Sequence, residues 1–159
     1  MRYVAFPMVL AVFAAAAPSS AADYSHRGLT ISSAWTRPAA AGLTGAGYFQ
    51  ITNTNKTADV LKAVESAVAE RAVIHRGQTT GGISTMRPLA DGLPIPAGAT
   101  ISLAPGGDHV MFVGLRKALS PGGRVPATLV FERAGRVPIE LLVQTSGSAP
   151  AAASHDHHP

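Results

Sequence analysis

Cysteine is absent from the 159 residues. That excludes disulfide cross-links, thiolate metal sites including blue-copper centres, and lipid attachment through an N-terminal Cys. Aromatic residues are few and dispersed, with one tryptophan in the whole sequence. Charge is also thin. Thirteen Lys and Arg against nine Asp and Glu give a net charge of +4, and the cations are scattered from Arg27 to Arg136. Nucleic-acid binders concentrate cations and aromatics on one face, so this pattern points to solubility and attraction to an acidic partner, with no nucleic acid. Long apolar runs are missing after the N-terminus, because charges, Gly and Pro interrupt every one. No later segment is therefore expected to insert stably into a membrane.

The one long apolar stretch, Tyr3 to Ala17, follows Met1-Arg2 and leads into Pro18-Ser19-Ser20-Ala21-Ala22 before the first acid, Asp23. A basic start, an apolar middle and a small-residue exit describe a secretory signal peptide over residues 1–22. The apolar run is shorter than the roughly 20 residues that a spanning helix needs. The expected location is outside the cytoplasm, in the periplasm of a bacterial cell.

Residues 23–146 have the length of one domain with its own core. Short β-rich runs recur with Gly, Pro and Asn between them. They are Leu29 to Trp35, Gly47 to Asn53, Val60 to Val64, Ala72 to Arg76, Ile83 to Pro88, Thr100 to Leu103, His109 to Leu115, Val125 to Phe131 and Val137 to Val143. Such spacing predicts an all-β fold, an antiparallel β-sandwich or barrel. One helical turn is expected around Val68-Ala69-Glu70, and Pro94 to Gly98 reads as a rigid connection. Residues 147–159 are small and polar and cannot bury a core, so a disordered C-terminal tail is expected. The tail ends with His155, His157 and His158, which suit a second, looser metal site.

Methionine is the informative residue. Of four, Met1 and Met8 lie in the signal segment, leaving Met86 and Met111. The body histidines are His26, His75 and His109. His109 and Met111 are two apart, so on a strand both side chains leave the same face. His75 and Met86 flank a Gly81-Gly82 turn, and a hairpin would bring their segments together. Two imidazoles and two thioethers form a soft, neutral ligand set that suits Cu(I), whereas Mg, Ca and Mn prefer oxygen. Val113 and Leu115 are expected to continue the His109-Met111 face, so packing is the competing explanation for this pair.

His75, ten residues, Met86, twenty-two residues, then His109-Val110-Met111 resemble the motif of the periplasmic copper chaperones that assemble the copper centre of cytochrome c oxidase. Gly45-Ala46-Gly47-Tyr48-Phe49, Met86-Arg87-Pro88, Ile95-Pro96-Ala97-Gly98 and Pro105-Gly106-Gly107 share the resemblance, which runs from about Ala34 to Val143. The second gap is one residue longer than the family pattern, and Arg76-Gly77-Gln78 stand where many relatives have an extra Met. The resemblance implies a cupredoxin-like, Greek-key β-sandwich with Cu(I) at one end. It also implies a carrier role rather than an enzyme, a copper-receiving partner such as the oxidase subunit or another chaperone, and Cu(II) at the tail. A secreted adhesion or assembly module without metal is the alternative. Redox copper catalysis is a third and weaker reading.

Overall fold

The computed structural model describes residues 21–145. The signal segment before Ala21 and the three tail histidines lie outside the described residues. Eleven strands and no helix form the described part: β1 (Tyr24–His26), β2 (Leu29–Thr36), β3 (Gly45–Asn53), β4 (Asp59–Glu65), β5 (Ala69–Thr80), β6 (Ile83–Pro88), β7 (Leu93–Ile95), β8 (Thr100–Leu103), β9 (His109–Leu115), β10 (Arg124–Phe131) and β11 (Gly135–Val143). The all-β expectation is met. Two local expectations are not. Val68 lies in a turn from which β5 starts directly, with no helical turn at Glu70, and Leu93–Ile95 is a strand paired with β4 rather than a mere connection.

Hydrogen bonding runs along β6-β5-β9-β3-β2-β11-β10-β4-β7, with β1 added to β2 and β8 to β3. All pairs are antiparallel except β11 with β2, where Leu142 and Val143 lie beside Trp35 and Thr36. The sandwich is thus mixed rather than purely antiparallel. Strands β4 and β5 are consecutive in the chain and touch, yet they sit near opposite ends of this path. The sheet must therefore fold over on itself. One apolar cluster fills the fold, taking Ile74, Val110 and Phe112 from one end of the path and Leu61, Leu129 and Ile95 from the other. Burial of side chains this size contributes about 1.5–3 kcal/mol each relative to exposure, which is the main force holding the layers together.

The core also sets the phase of the strand that carries His109. On β9, Val110 and Phe112 are fully buried, so His109, Met111 and Val113 face the other way. The alternation then breaks. Gly114 has a positive φ of 67°, and Leu115 beyond it returns to the core at 2% exposure. Leu115 therefore does not continue the His109-Met111 face, contrary to the simple alternation read from the sequence.

Candidate metal centre

Strand β5 organises the site. On one side it pairs with β9, placing His75 directly opposite His109 and Val73 opposite Met111. On the other side it pairs with β6, placing Gly77 opposite Met86. Directly opposed residues share a face, and so do residues two apart on one strand. His75, Met86, His109 and Met111 therefore all belong to one face of three adjacent strands. The hairpin expected from the sequence is present, but Met86 lies opposite Gly77, whereas His75 lies opposite Pro88.

The two imidazoles are nearly parallel, 17° apart, with ring centroids 5.9 Å from each other. His109 is 8% exposed, and its Nδ1 lies 2.8 Å from the Gly107 carbonyl oxygen. A carbonyl only accepts, so Nδ1–H donates to it and Nε2 keeps its lone pair. That hydrogen bond fixes the ring and the tautomer, as partners of metal-binding histidines commonly do. His75 differs. Its Nδ1 is buried with no hydrogen-bond partner among the described residues. Leaving a polar atom in that state costs about 1–3 kcal/mol, so it calls for an external partner.

Met86, His109 and Met111 line one cavity of about 360 Å³. Met111 is half-buried, whereas Met86 is 62% exposed on β6, all of whose residues are exposed. The donor set thus grades from a covered histidine pair to an open thioether. A larger groove of about 740 Å³ lies over β10 and β11, beside Tyr24, Pro126 and Pro138, but none of these four donors lines it. Among the described residues, no group of three or more His, Cys, Asp or Glu side chains could hold a metal ion. His26, the remaining body histidine, has its Nε2 3.1 Å from the Ala134 carbonyl and belongs to the scaffold.

Several residues that build the site have roles that the sequence did not assign, although Tyr48 and Gly107 lie in segments that share the family resemblance. A Cβ on Gly77 would stand 2.5 Å from the Gly107 carbonyl oxygen, so the missing side chain lets the turn before β9 lie on β5. The turn is closed by Gly107 N–H donating to Ala104 O at 3.0 Å. It is braced by Arg76 against Asp108 at 3.4 Å. Tyr48 is 6% exposed, with its ring 6.4 Å from that of His109 and 4.6 Å from that of Trp35. Only the cross-strand registers bring these groups together.

Comparison with known proteins gives a consistent answer. A family model described as LpqE-like matches residues 29–143. Over 104 residues the chain is 36% identical to Lxx21020 of Leifsonia xyli subsp. xyli (strain CTCB07), a lipoprotein by name. The match covers 65% of this chain and 62% of that relative, so the chain spans less than two thirds of the relative's length. The copper-bound PCuAC domain from PmoF2 shares 28% identity and a TM-score of 0.66, covering 78% of this chain and 98% of that domain. The apo PCuAC domain from PmoF1 shares 30% identity and a TM-score of 0.66, covering 78% and 99%. The Cu(I) form of DR1885 from Deinococcus radiodurans, at 23% identity and a TM-score of 0.61, covers 78% and 81% and supports the fold alone. The chain belongs to the LpqE-like family and has the fold of the PCuAC domains.

Proposed function

We propose that this protein is an exported copper carrier that holds one Cu(I) with His75, Met86, His109 and Met111 and passes it to a copper-receiving protein. The observation that carries this reading is the partnerless, buried Nδ1 of His75 on the face shared by the other three donors. The donor chemistry fits the cargo. Imidazole and thioether are soft and neutral, and neither a thiol nor a carboxylate must lose a proton for binding. Similarity to a copper-bound PCuAC domain supports the same assignment.

The gradient of exposure suggests how copper leaves. His109 is locked by Gly107, whereas Met86 is exposed on a strand at the edge of the sheet path. A recipient's ligands would replace Met86 first and the histidines last. The recipient is a copper-bearing oxidase subunit or another copper chaperone. The role is carriage, not catalysis. Residues 1–22 direct export to the periplasm and are then removed, residues 23–146 hold copper, and residues 147–159 gather Cu(II) through His155, His157 and His158.

The test is an anaerobic Cu(I) titration against a competing chelator, on the full mature chain and on one ending at Ser146. One tight equivalent in both, lost in Met86→Ala/Met111→Ala, is expected. No tight binding in either would sink the reading and favour a metal-free assembly module. Binding only with the tail would move the function to its histidines.

A further inference from the structure

We infer that Arg37 makes the mouth of this cavity a carboxylate-binding subsite, so that what meets the copper face carries a carboxylate. Arg37 follows the end of β2 and lines the same cavity as His109, Met86 and Met111. Its guanidinium lies 6.0 Å from the centre of the Trp35 ring and 5.9 Å from that of Tyr48. Those two rings are themselves in contact, and Tyr48 lies against His109. Stacking on aromatic faces holds a guanidinium in place while leaving its edge N–H groups available.

Arg37 has no carboxylate partner among the described residues, a state it shares with Arg27, Arg71, Arg87, Arg116 and Arg133, and it is the one arginine among the described residues that lines this cavity. The rest of the cavity lining supplies neutral hydrogen-bonding groups, Thr44, Gln78, Ser84 and Thr85, and no acid. The cavity volume is that of a small-molecule site. A planar, forked cation matches a carboxylate in two parallel hydrogen bonds. The proposal deepens the copper reading: neutral ligands leave the charge of Cu(I) uncompensated, and an incoming carboxylate is its natural counter-charge. That carboxylate belongs either to a small chelate that brings copper or to an acidic side chain on the recipient.

The experiment uses the metal-free protein, so it succeeds or fails independently of copper binding. Trp35 is the only tryptophan in the sequence, and its emission reports on Arg37. Citrate, an aspartate-rich peptide and inorganic phosphate would each be titrated, with heat of binding measured in parallel. Saturable binding of citrate would support a small carboxylate chelate, and binding of the peptide alone would support a side chain of the recipient. In either case Arg37→Gln is expected to weaken binding about five- to ten-fold, and Arg37→Lys less, because Lys keeps the charge but not the fork. Unchanged affinity in Arg37→Gln, equal affinity for phosphate, or no binding of either carboxylate at millimolar concentration would overturn it.

Discussion

At the Asn53 end of β3, buried polar side chains are fully engaged. Asn53 donates to the carbonyls of Thr57 at 3.0 Å and of Ile95 and Pro96 at 3.3 Å, and its Oδ1 accepts from the N–H of Asn55. Asp59 nearby accepts from the backbone N–H groups of Val60, Arg133 and Ala134. At the other end of β3, beside Ala46 and Tyr48, the histidine pair is treated differently. His109 has one nitrogen satisfied, and His75 has a buried nitrogen with none. Both regions bury polar groups in the same sheet. One uses them to tie loops to the sandwich, and the other keeps donor atoms available. An unsatisfied buried polar atom in an otherwise well-paired fold calls for a partner from outside the chain, whether water or an ion.

Substitutions sharpen this contrast, and the largest effect belongs to the satisfied end. Asp59→Ala would remove the acceptor of three N–H groups, that of Ala134 buried and those of Val60 and Arg133 partly so, and is expected to lower unfolding free energy by about 3 kcal/mol or more in urea titrations. The folded fraction would still bind one Cu(I). His75→Leu is expected to do the reverse. Cu(I) affinity should fall by more than about 100-fold, while stability of the metal-free protein does not fall and rises by up to about 1 kcal/mol. A marked loss of stability in His75→Leu would break the comparison, because it would show the ring to be a structural element. Gly77→Ala comes next. Gly77 supplies no ligand atom, yet an added Cβ must push back the turn that anchors His109, and an affinity loss of about ten-fold is expected in the chelator competition.

The smallest effect lies at the surface. Glu65 has its carboxyl held below the ordinary value, first by the hydrogen bonds from Arg136, and Arg136 is held above its own. A lowered folded value means that the contribution is complete above the unfolded carboxyl's pKa and fades as pH falls through the folded value. Both side chains are exposed, so Glu65→Gln should leave neutral-pH stability and Cu(I) affinity unchanged within error. Its only expected signature is a slightly shallower loss of stability in acid denaturation.

Much of this was legible in the sequence because the signals were local. Leu29 to Trp35, His109 to Leu115 and Val125 to Phe131 have β-branched and aromatic runs closed by turn residues, and all are strands. The four proposed donors drew attention because Met is scarce and His109 and Met111, two apart, leave one face of a strand, and the strand registers set all four on one face. What was not legible depends on partners distant in the chain. Leu93–Ile95 is a strand because β4 pairs with it, despite Pro94 within it and Pro96 just after. Val68 and Ala69 are drawn into a turn and strand by burial at 4% and 3%, overriding their tolerance of helix. The segments holding Tyr48 and Gly107 resembled the family, but what these residues and Gly77 do depends on register, and no spacing rule announces that β5 would meet both β6 and β9.

That double pairing has a consequence for how the sequence can vary. Met86 is positioned by Gly77 and His109 by His75, so both are measured from the same strand and not from each other. The intervening segment leaves to form β7 and β8 on other strands before it returns. Its length is therefore free to drift by insertion or deletion without moving either donor, which accommodates the twenty-two residues between Met86 and His109. A single residue gained or lost between His75 and Gly77 has no such freedom, since it would turn one donor to the opposite face of the sheet.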